Sequence, residues 1–204
     1  MGKFLEFVFN RIFLGMIATA FFWLLTLAGG VVFGLAPASA TLMSLYAENG
    51  YTYRAYSLKE AWELYKSNFV KSNLAFYSFV LVDLVLVYGL YLLVQLPHQT
   101  IFHLLATFLN ILVVAFVFLA YTVSLKLQVH YELSYRNTVK LALIGIFMNL
   151  PAIAKVLFGT VMLVGIGYYM PALLSFVGIG MWHFFISDML EPVYESIHEK
   201  LATK

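Results

Sequence analysis

One carboxylate in this sequence lies inside a long apolar stretch, and it is the first residue that could carry chemistry. Asp83 sits near the middle of that stretch, where a charged side chain costs on the order of 2.5 to 3.5 kcal/mol if the segment crosses a membrane. It could form a site for a proton, a cation or a hydroxylated solute. The alternative is a hydrogen bond to a neighbouring helix by a protonated carboxyl group. We prefer this structural role, because no second carboxylate accompanies Asp83 to form a relay.

Asn110 and His183 are the other notable polar groups within apolar stretches. Such residues more often join helices than bind ligands, and Asn110 is kept with Asp83 as a candidate for contact with a substrate or ion. No histidine pair has the spacing and acidic companions of a helical metal motif. Cysteine is absent, and so is a phosphate-binding loop. The sequence therefore predicts no catalytic residues, no metal, no cofactor and no nucleic-acid partner, and it argues against an enzyme.

The elements that must position these residues are membrane-spanning helices. Hydrophobic residues make up 63% of the chain and charged residues 11%, which is outside the range of soluble domains. Residues 12–47 and 84–125 contain no Asp, Glu, Lys or Arg, and each run exceeds the ~20 residues that one span requires. We expect an all-α, polytopic bundle in the lipid bilayer, forming a single integral membrane domain over residues 1–204.

The apolar runs predict about five spans. We place them at residues 12–36, 73–96, 101–123, 149–169 and 172–190. Basic residues resist translocation and mark cytoplasmic loops. On this layout only Lys3 and Arg11, of twelve Lys and Arg residues, lie on the side opposite the long loops. The count predicts a multi-pass plasma membrane protein with its N-terminus outside and its C-terminus in the cytoplasm.

An amphipathic helix is predicted between the first and second spans. Ser57 and Glu60 have the spacing of a capping box, and apolar residues then recur at intervals of three and four. We expect this helix to lie on the cytoplasmic surface of the membrane, or alternatively to pack on its own bundle. Its candidates for binding a partner are Lys59, Trp62, Lys66 and Lys71.

An internal duplication is a further interpretation of the pattern. A shift of the sequence by 81 residues aligns several polar positions without gaps, including Lys59 with Lys140. The units would be residues 12–96 and 101–170, in the same orientation, with an extra span at 172–190. Apolar sequences match readily by chance, so only the few polar coincidences carry this interpretation.

A short series of residues also follows a recognisable order. Trp23 comes early in the first span, a segment rich in small residues ends it, and an Asn-Phe pair lies downstream. The residues are Trp23, then Pro37-Ala38-Ser39-Ala40-Thr41, then Asn68-Phe69. This order resembles the YesL-like family of small bacterial integral membrane proteins, although Ser39 stands where that family commonly has threonine. Pro37 should kink or end the first span, and the small residues after it should allow close packing.

The resemblance implies a bacterial plasma membrane protein that is associated with carbohydrate uptake and has no defined activity. The leading hypothesis is an accessory subunit of an oligosaccharide ABC importer, acting through helix packing and contacts on the cytoplasmic side. One alternative is a self-contained transporter of a small solute that uses Asp83. Another is a membrane sensor or scaffold. A homo-oligomer is compatible with all three.

Overall fold

The computed structural model describes residues 2–97 and 100–202. Within these residues the chain is helical and has no strand, which confirms the predicted all-α class. Eight helices are present in the described part, with a π-helical turn at Leu174–Gly178 inside the seventh. The helices are α1 (Gly2–Ala28), α2 (Leu35–Asn49), α3 (Leu58–Val94), α4 (Ile101–His130), α5 (Tyr135–Met148), α6 (Leu150–Tyr169), α7 (Pro171–Met189) and α8 (Glu191–Ala202).

Five of these helices are long and apolar enough to cross a membrane. They are α1 from Leu5 onward, α3, α4, α6 and α7, and they confirm the predicted multi-pass architecture. The predicted spans at 149–169 and 172–190 agree closely with α6 and α7. Proline lies in the first turn of each of these two helices, where its missing amide hydrogen has no intrahelical acceptor to lose.

The first predicted span exists, but its predicted end at residue 36 is wrong, because the chain reverses direction after Ala28. α1 ends at Ala28, and Gly30 and Val31 then adopt left-handed backbone angles with φ of 68° and 65°. α2 runs back along α1, so that the Arg11 guanidinium lies 3.4 Å from the centre of the Tyr51 ring. Pro37 neither kinks nor ends a span. It occupies the first turn of α2, where proline is compatible with a helix.

The predicted surface helix and second span form one continuous helix. α3 begins after Ser57 as expected, although the Ser57 side chain makes no capping hydrogen bond. It then continues for 37 residues to Val94, which is about 55 Å at 1.5 Å per residue. α3 contains no proline, and the change from an amphipathic to an apolar pattern does not require a break in the backbone. The prediction of a separate amphipathic surface helix is therefore wrong: its residues form the first turns of α3.

Helix α2 is the centre of the bundle. Ten of its 15 residues are buried, and it contacts α1, α3, α4 and α7. Ala38 and Leu42 belong to one apolar core cluster, whereas Ala40 and Met43 belong to a second. Small side chains on α2 thus allow both clusters to pack closely against one helix, in agreement with the predicted role of this segment.

Beyond the bundle, α3 and α4 continue as a projecting hairpin, defined here as residues 84–94 and 101–113. The Tyr77 hydroxyl donates to the Val32 carbonyl at 2.6 Å, so the α1–α2 turn lies beside the middle of α3. From Tyr77 to Val94, α3 extends about 25 Å further. Most large apolar side chains of the projecting hairpin are exposed, as expected for surfaces that face lipid.

The basic residues gather at one end of the molecule. Residues 12–53, 72–125 and 156–199 contain no Lys or Arg, and each of these stretches includes one turn between antiparallel helices: α1–α2, α3–α4 or α6–α7. The return of α2 brings Arg11 and the start of α1 to the same end as the long loops. The predicted separation of Lys3 and Arg11 from the other basic residues is therefore wrong, and both ends of the described chain lie at this basic end.

Candidate functional site

A polar cleft of about 490 Å³ opens at the basic end of the molecule, between the end of α2, the first half of α3 and the end of α4. It is lined by Asn68, which belongs to the family-like motif, and by Lys71, which was predicted to bind a partner. Residues from two other segments, remote in sequence, complete its wall. The polar lining residues are Ser44, Glu48, Ser67, Asn68, Lys71, Gln128, His130, Tyr131 and Glu132.

Lys71 is held inside this cleft. Its Nζ donates to the Tyr131 carbonyl at 3.2 Å, and Glu132 follows directly in the lining. Deeper in the wall, the Ser72 hydroxyl donates to Gln128 Oε1 at 3.5 Å. The cleft thus offers one cation, carboxylates and amide groups to a polar occupant. Lys71 thus lies apart from the other three candidates for binding a partner, Lys59, Trp62 and Lys66, which are exposed.

Three of the predicted partner contacts form an exposed line on α3, called here the α3 stripe: Lys59, Trp62 and Lys66. The Trp62 ring stacks on Tyr65 with centroids 5.4 Å apart and planes 10° from parallel. Lys66 Nζ lies 6.0 Å from the Trp62 ring centre, at the outer limit of a cation–π contact. Because Tyr65 is buried, it fixes one face of Trp62 and leaves the other free for an external contact.

Two carboxylates meet near the mouth of the cleft. Burial raises the pKa of Glu48, and the neighbouring Glu60 carboxylate raises it further. Glu60 Oε1 also accepts a long hydrogen bond of 3.5 Å from Asn49. Like charges held close together favour uptake of a proton by one of them, so this rim becomes less negative as the pH falls.

A partly buried ion pair joins α4 and α8 at the basic end. Lys126 Nζ lies 2.7 Å from Glu191 Oε2 and 3.1 Å from the Ser187 hydroxyl, and the Lys126 side chain is only 4% exposed. This pair ties α4 to the start of α8. Sequence reasoning missed it, although the position of Lys126 at the end of a long uncharged stretch was a usable signal.

A second polar link joins α2 and α7. Asp188 accepts hydrogen bonds from the Tyr46 hydroxyl at 2.5 Å and the Tyr51 hydroxyl at 2.9 Å. Burial, followed by the hydrogen bond to Asp188, raises the pKa of Tyr46 well above its ordinary value. The stacking of Arg11 on Tyr51 extends the link to α1. These contacts link α1, α2 and α7 at the basic end.

The remaining motif residues make contacts within the bundle. Trp23 Nε1 donates to the Ser175 carbonyl at 3.0 Å, inside the π-helical turn of α7, where backbone carbonyls are displaced from the regular helical ladder. Pro37 and Ala38 are buried, and the Ser39 hydroxyl bonds to its own helix at Leu35. The Phe69 carbonyl accepts from Asn73, which also reaches Phe33 in the α1–α2 turn.

Asp83 and Asn110 lie apart from the cleft. Asp83 is twelve positions beyond Lys71 on α3, about 18 Å along the helix axis. In the part of the chain that the structure describes, Oδ1 of Asp83 and Oδ1 of Asn110 are both buried and without a hydrogen-bond partner. Among the same residues, no three His, Asp or Glu side chains cluster in a way that could hold a metal ion.

Comparison with known proteins gives one match. Residues 16–90 are similar to a family described as "Protein of unknown function, DUF624". The matched segment runs from α1 almost to the end of α3, so it includes the α1–α2 reversal, the α3 stripe and Asp83. No curated protein matches the chain, and no solved structure does.

Proposed function

We propose that this chain is a non-enzymatic subunit of a bacterial plasma membrane assembly, and that it supports an oligosaccharide ABC importer by holding a partner at its basic end. The observation that carries the proposal is the polar cleft lying beside the exposed α3 stripe. The sequence order of Trp23, Pro37 and Asn68-Phe69 resembles that of the YesL-like proteins, which are included in the matched family. That resemblance supports the link to carbohydrate uptake.

We infer that the basic end faces the cytoplasm. The three stretches without Lys or Arg all reverse direction at the opposite end of the molecule. The positive-inside rule predicts that basic residues collect in cytoplasmic loops. Both termini would then be cytoplasmic. Fusion of a reporter that is active only outside the membrane should give no signal at either terminus and a signal at residue 97 of the α3–α4 connection. Activity of the N-terminal fusion would contradict this orientation.

The α3 stripe has the composition of an interface anchor. Tryptophan is enriched among the residues that dominate binding energy, and a charged rim around an aromatic anchor is common at protein interfaces. Trp62 is already ordered by stacking on Tyr65, which lowers the entropy that a partner's binding would otherwise remove. The cleft beside it offers hydrogen-bonding groups for a polar segment of the same partner.

The test is co-purification with co-expressed importer subunits in a mild detergent. Trp62→Ala combined with Lys66→Glu should weaken recovery of the importer at least about tenfold, the effect of losing ~1.4 kcal/mol. Lys155→Glu is the matched control, because it reverses an exposed charge at the basic end on α6. Equal recovery with both variants would overturn the assignment of the stripe.

The rival function is tested on the purified chain alone. A self-contained transporter should move a labelled sugar into liposomes without other subunits, and Asp83→Asn should alter that flux. An accessory subunit should show no flux by itself and should stimulate uptake when it is reconstituted with the importer. Failure of both stimulation and co-purification would favour a sensor or scaffold.

A further inference from the structure

A second cavity, of about 240 Å³, lies where the projecting hairpin leaves the bundle. Helices α2, α3, α4 and α7 all contribute to its wall. The wall is largely aromatic, with Phe76, Phe79, Phe118 and Trp182 around the space. Such a lining favours an aliphatic occupant, because burial of apolar surface is worth about 25 cal/mol per Å².

Asp83 places a polar side chain in the wall of this apolar cavity. Its Oδ1 atom is buried and makes no hydrogen bond to the described residues. Two other polar groups in the wall are already engaged: the Ser39 hydroxyl donates to Leu35, and Trp182 Nε1 donates to the Thr160 hydroxyl at 3.0 Å. The Tyr121 hydroxyl also belongs to the lining. A buried acceptor left unpaired keeps the cost of its lost hydration. A ligand that donates one hydrogen bond to Asp83 would remove this cost.

We propose that the cavity binds a lipophilic alcohol drawn from the bilayer. Its hydroxyl group donates to Asp83 Oδ1, and its aliphatic part packs among the aromatic side chains. A lipophilic amine could also donate, but it would place an ion pair against an apolar wall, where the desolvation of both charges offsets much of their attraction. A neutral hydroxyl group satisfies Asp83 without that cost. This inference is independent of the partner proposed at the basic end.

Trp182 supplies the readout, because its indole lines the same cavity. A Trp23→Phe, Trp62→Phe background leaves Trp182 as the remaining tryptophan of the three in the chain. In detergent micelles, 10-bromodecan-1-ol should quench its fluorescence saturably, and 1-bromodecane of the same chain length should quench weakly and linearly. Thermal unfolding of the background protein verifies that it is folded before the titration.

Variants at Asp83 distinguish a site that requires a hydrogen-bond acceptor from one that requires a negative charge. Asp83→Leu should raise the half-quenching mole fraction of the bromo-alcohol about tenfold, which corresponds to ~1.4 kcal/mol. Asp83→Asn should retain saturable quenching, because an amide oxygen still accepts from a hydroxyl group. Asn110→Leu is the matched control, since it removes another unpartnered polar atom on the same pair of helices and should leave quenching unchanged.

Two outcomes would overturn the proposal. Equal quenching by the bromo-alcohol and the bromo-alkane would show an apolar groove without a hydroxyl site. Saturable quenching by 10-bromodecylammonium that is lost in Asp83→Asn, with no response to the alcohol, would show a cation site. If the alcohol binds as expected, competition by dioleoylglycerol or by farnesol then identifies a glycerolipid or an isoprenoid as the source of the hydroxyl group.

Discussion

The basic end and the projecting hairpin are built from the same two helices, α3 and α4, but their side chains make different kinds of contact. At the basic end, Lys126 is buried and paired with Glu191, and neighbouring polar groups reach across to other helices. In the projecting hairpin, α3 and α4 pack mainly on each other, and most of their large apolar side chains are exposed. The comparison teaches that polar groups define one arrangement in the bundle, whereas the hairpin relies on its apolar surface and on lipid.

The largest expected effect tests how closely the bundle is packed. At Gly180, where α7 crosses α1, an added Cβ would lie 2.6 Å from the Gly15 carbonyl oxygen. Because the obstacle is backbone, Gly180→Ala should lower the free energy of unfolding by about 3 kcal/mol. Thermal unfolding in detergent micelles measures this loss. Gly165→Ala on α6 is the control, since its Cβ would meet open space; similar losses for both variants would show that the α1–α7 crossing is not tight.

A smaller loss is expected when the buried ion pair is broken. Glu191→Ala leaves Lys126 buried and unpaired, which should destabilise the protein by about 2–3 kcal/mol, at the lower end for buried pairs because Glu191 is half-exposed. The measurement is chemical unfolding at pH 7. Lys126→Met combined with Glu191→Leu should recover most of this loss, because it removes both charges together. A double variant as unstable as Glu191→Ala would contradict this account.

Two asparagines, Asn73 in the bundle and Asn110 in the projecting hairpin, sharpen the comparison further. Asn73 donates to the Phe33 and Phe69 carbonyls at 2.9 Å each, so Asn73→Leu should cost about 1–2 kcal/mol through the carbonyls it leaves unpaired. Asn110→Leu in the projecting hairpin should change stability by less than about 0.5 kcal/mol or increase it. Thermal unfolding of the two variants side by side gives the comparison. An equal cost for both would mean that Asn110 has a polar partner in the membrane.

The smallest expected effect is a dependence on pH at the mouth of the cleft. The pKa of Glu48 is raised in the folded state, so the folded protein binds more protons than the unfolded chain above the ordinary carboxyl pKa. Stability from this site is therefore present at low pH and is lost as the pH rises through the folded pKa. The unfolding temperature of the wild-type protein relative to that of Glu48→Gln, which cannot ionise at this position, should therefore be slightly lower at pH 8 than at pH 5. Glu195→Gln on α8 is the control.

Much of the helical layout could be predicted from the sequence. The apolar runs indicated five spans, and the Ser57–Glu60 spacing marked the start of α3. The α1–α2 reversal was missed because glycine is common within membrane helices and because Val31 is a β-branched residue in a left-handed conformation, which such residues rarely adopt. Local preference therefore favoured a continuous helix, and the tertiary contacts of Phe33 and Thr26 determine the turn instead.

The candidate site was only partly predictable, for a different reason. Asn68 and Lys71 were identified from one segment, but Glu48 and His130 come from helices remote in sequence. Spacing along a single sequence reports which residues share a face of one helix, and it does not report which helices are neighbours. The Lys126–Glu191 pair, 65 positions apart, shows the same restriction. The internal duplication stays a prediction, although the aligned segments differ: α4 passes straight through the positions that correspond to the α1–α2 turn.

The continuity of α3 has a mechanical consequence. Its 37 residues form one rod without a proline hinge, about 55 Å long, whereas the hydrocarbon core of a bilayer is about 30 Å thick. A membrane that thins around the projecting hairpin would favour a greater tilt of that half. Because the rod has no joint, the half that carries Trp62 would swing with it. The orientation of the α3 stripe is in this way coupled to the thickness of the surrounding lipid.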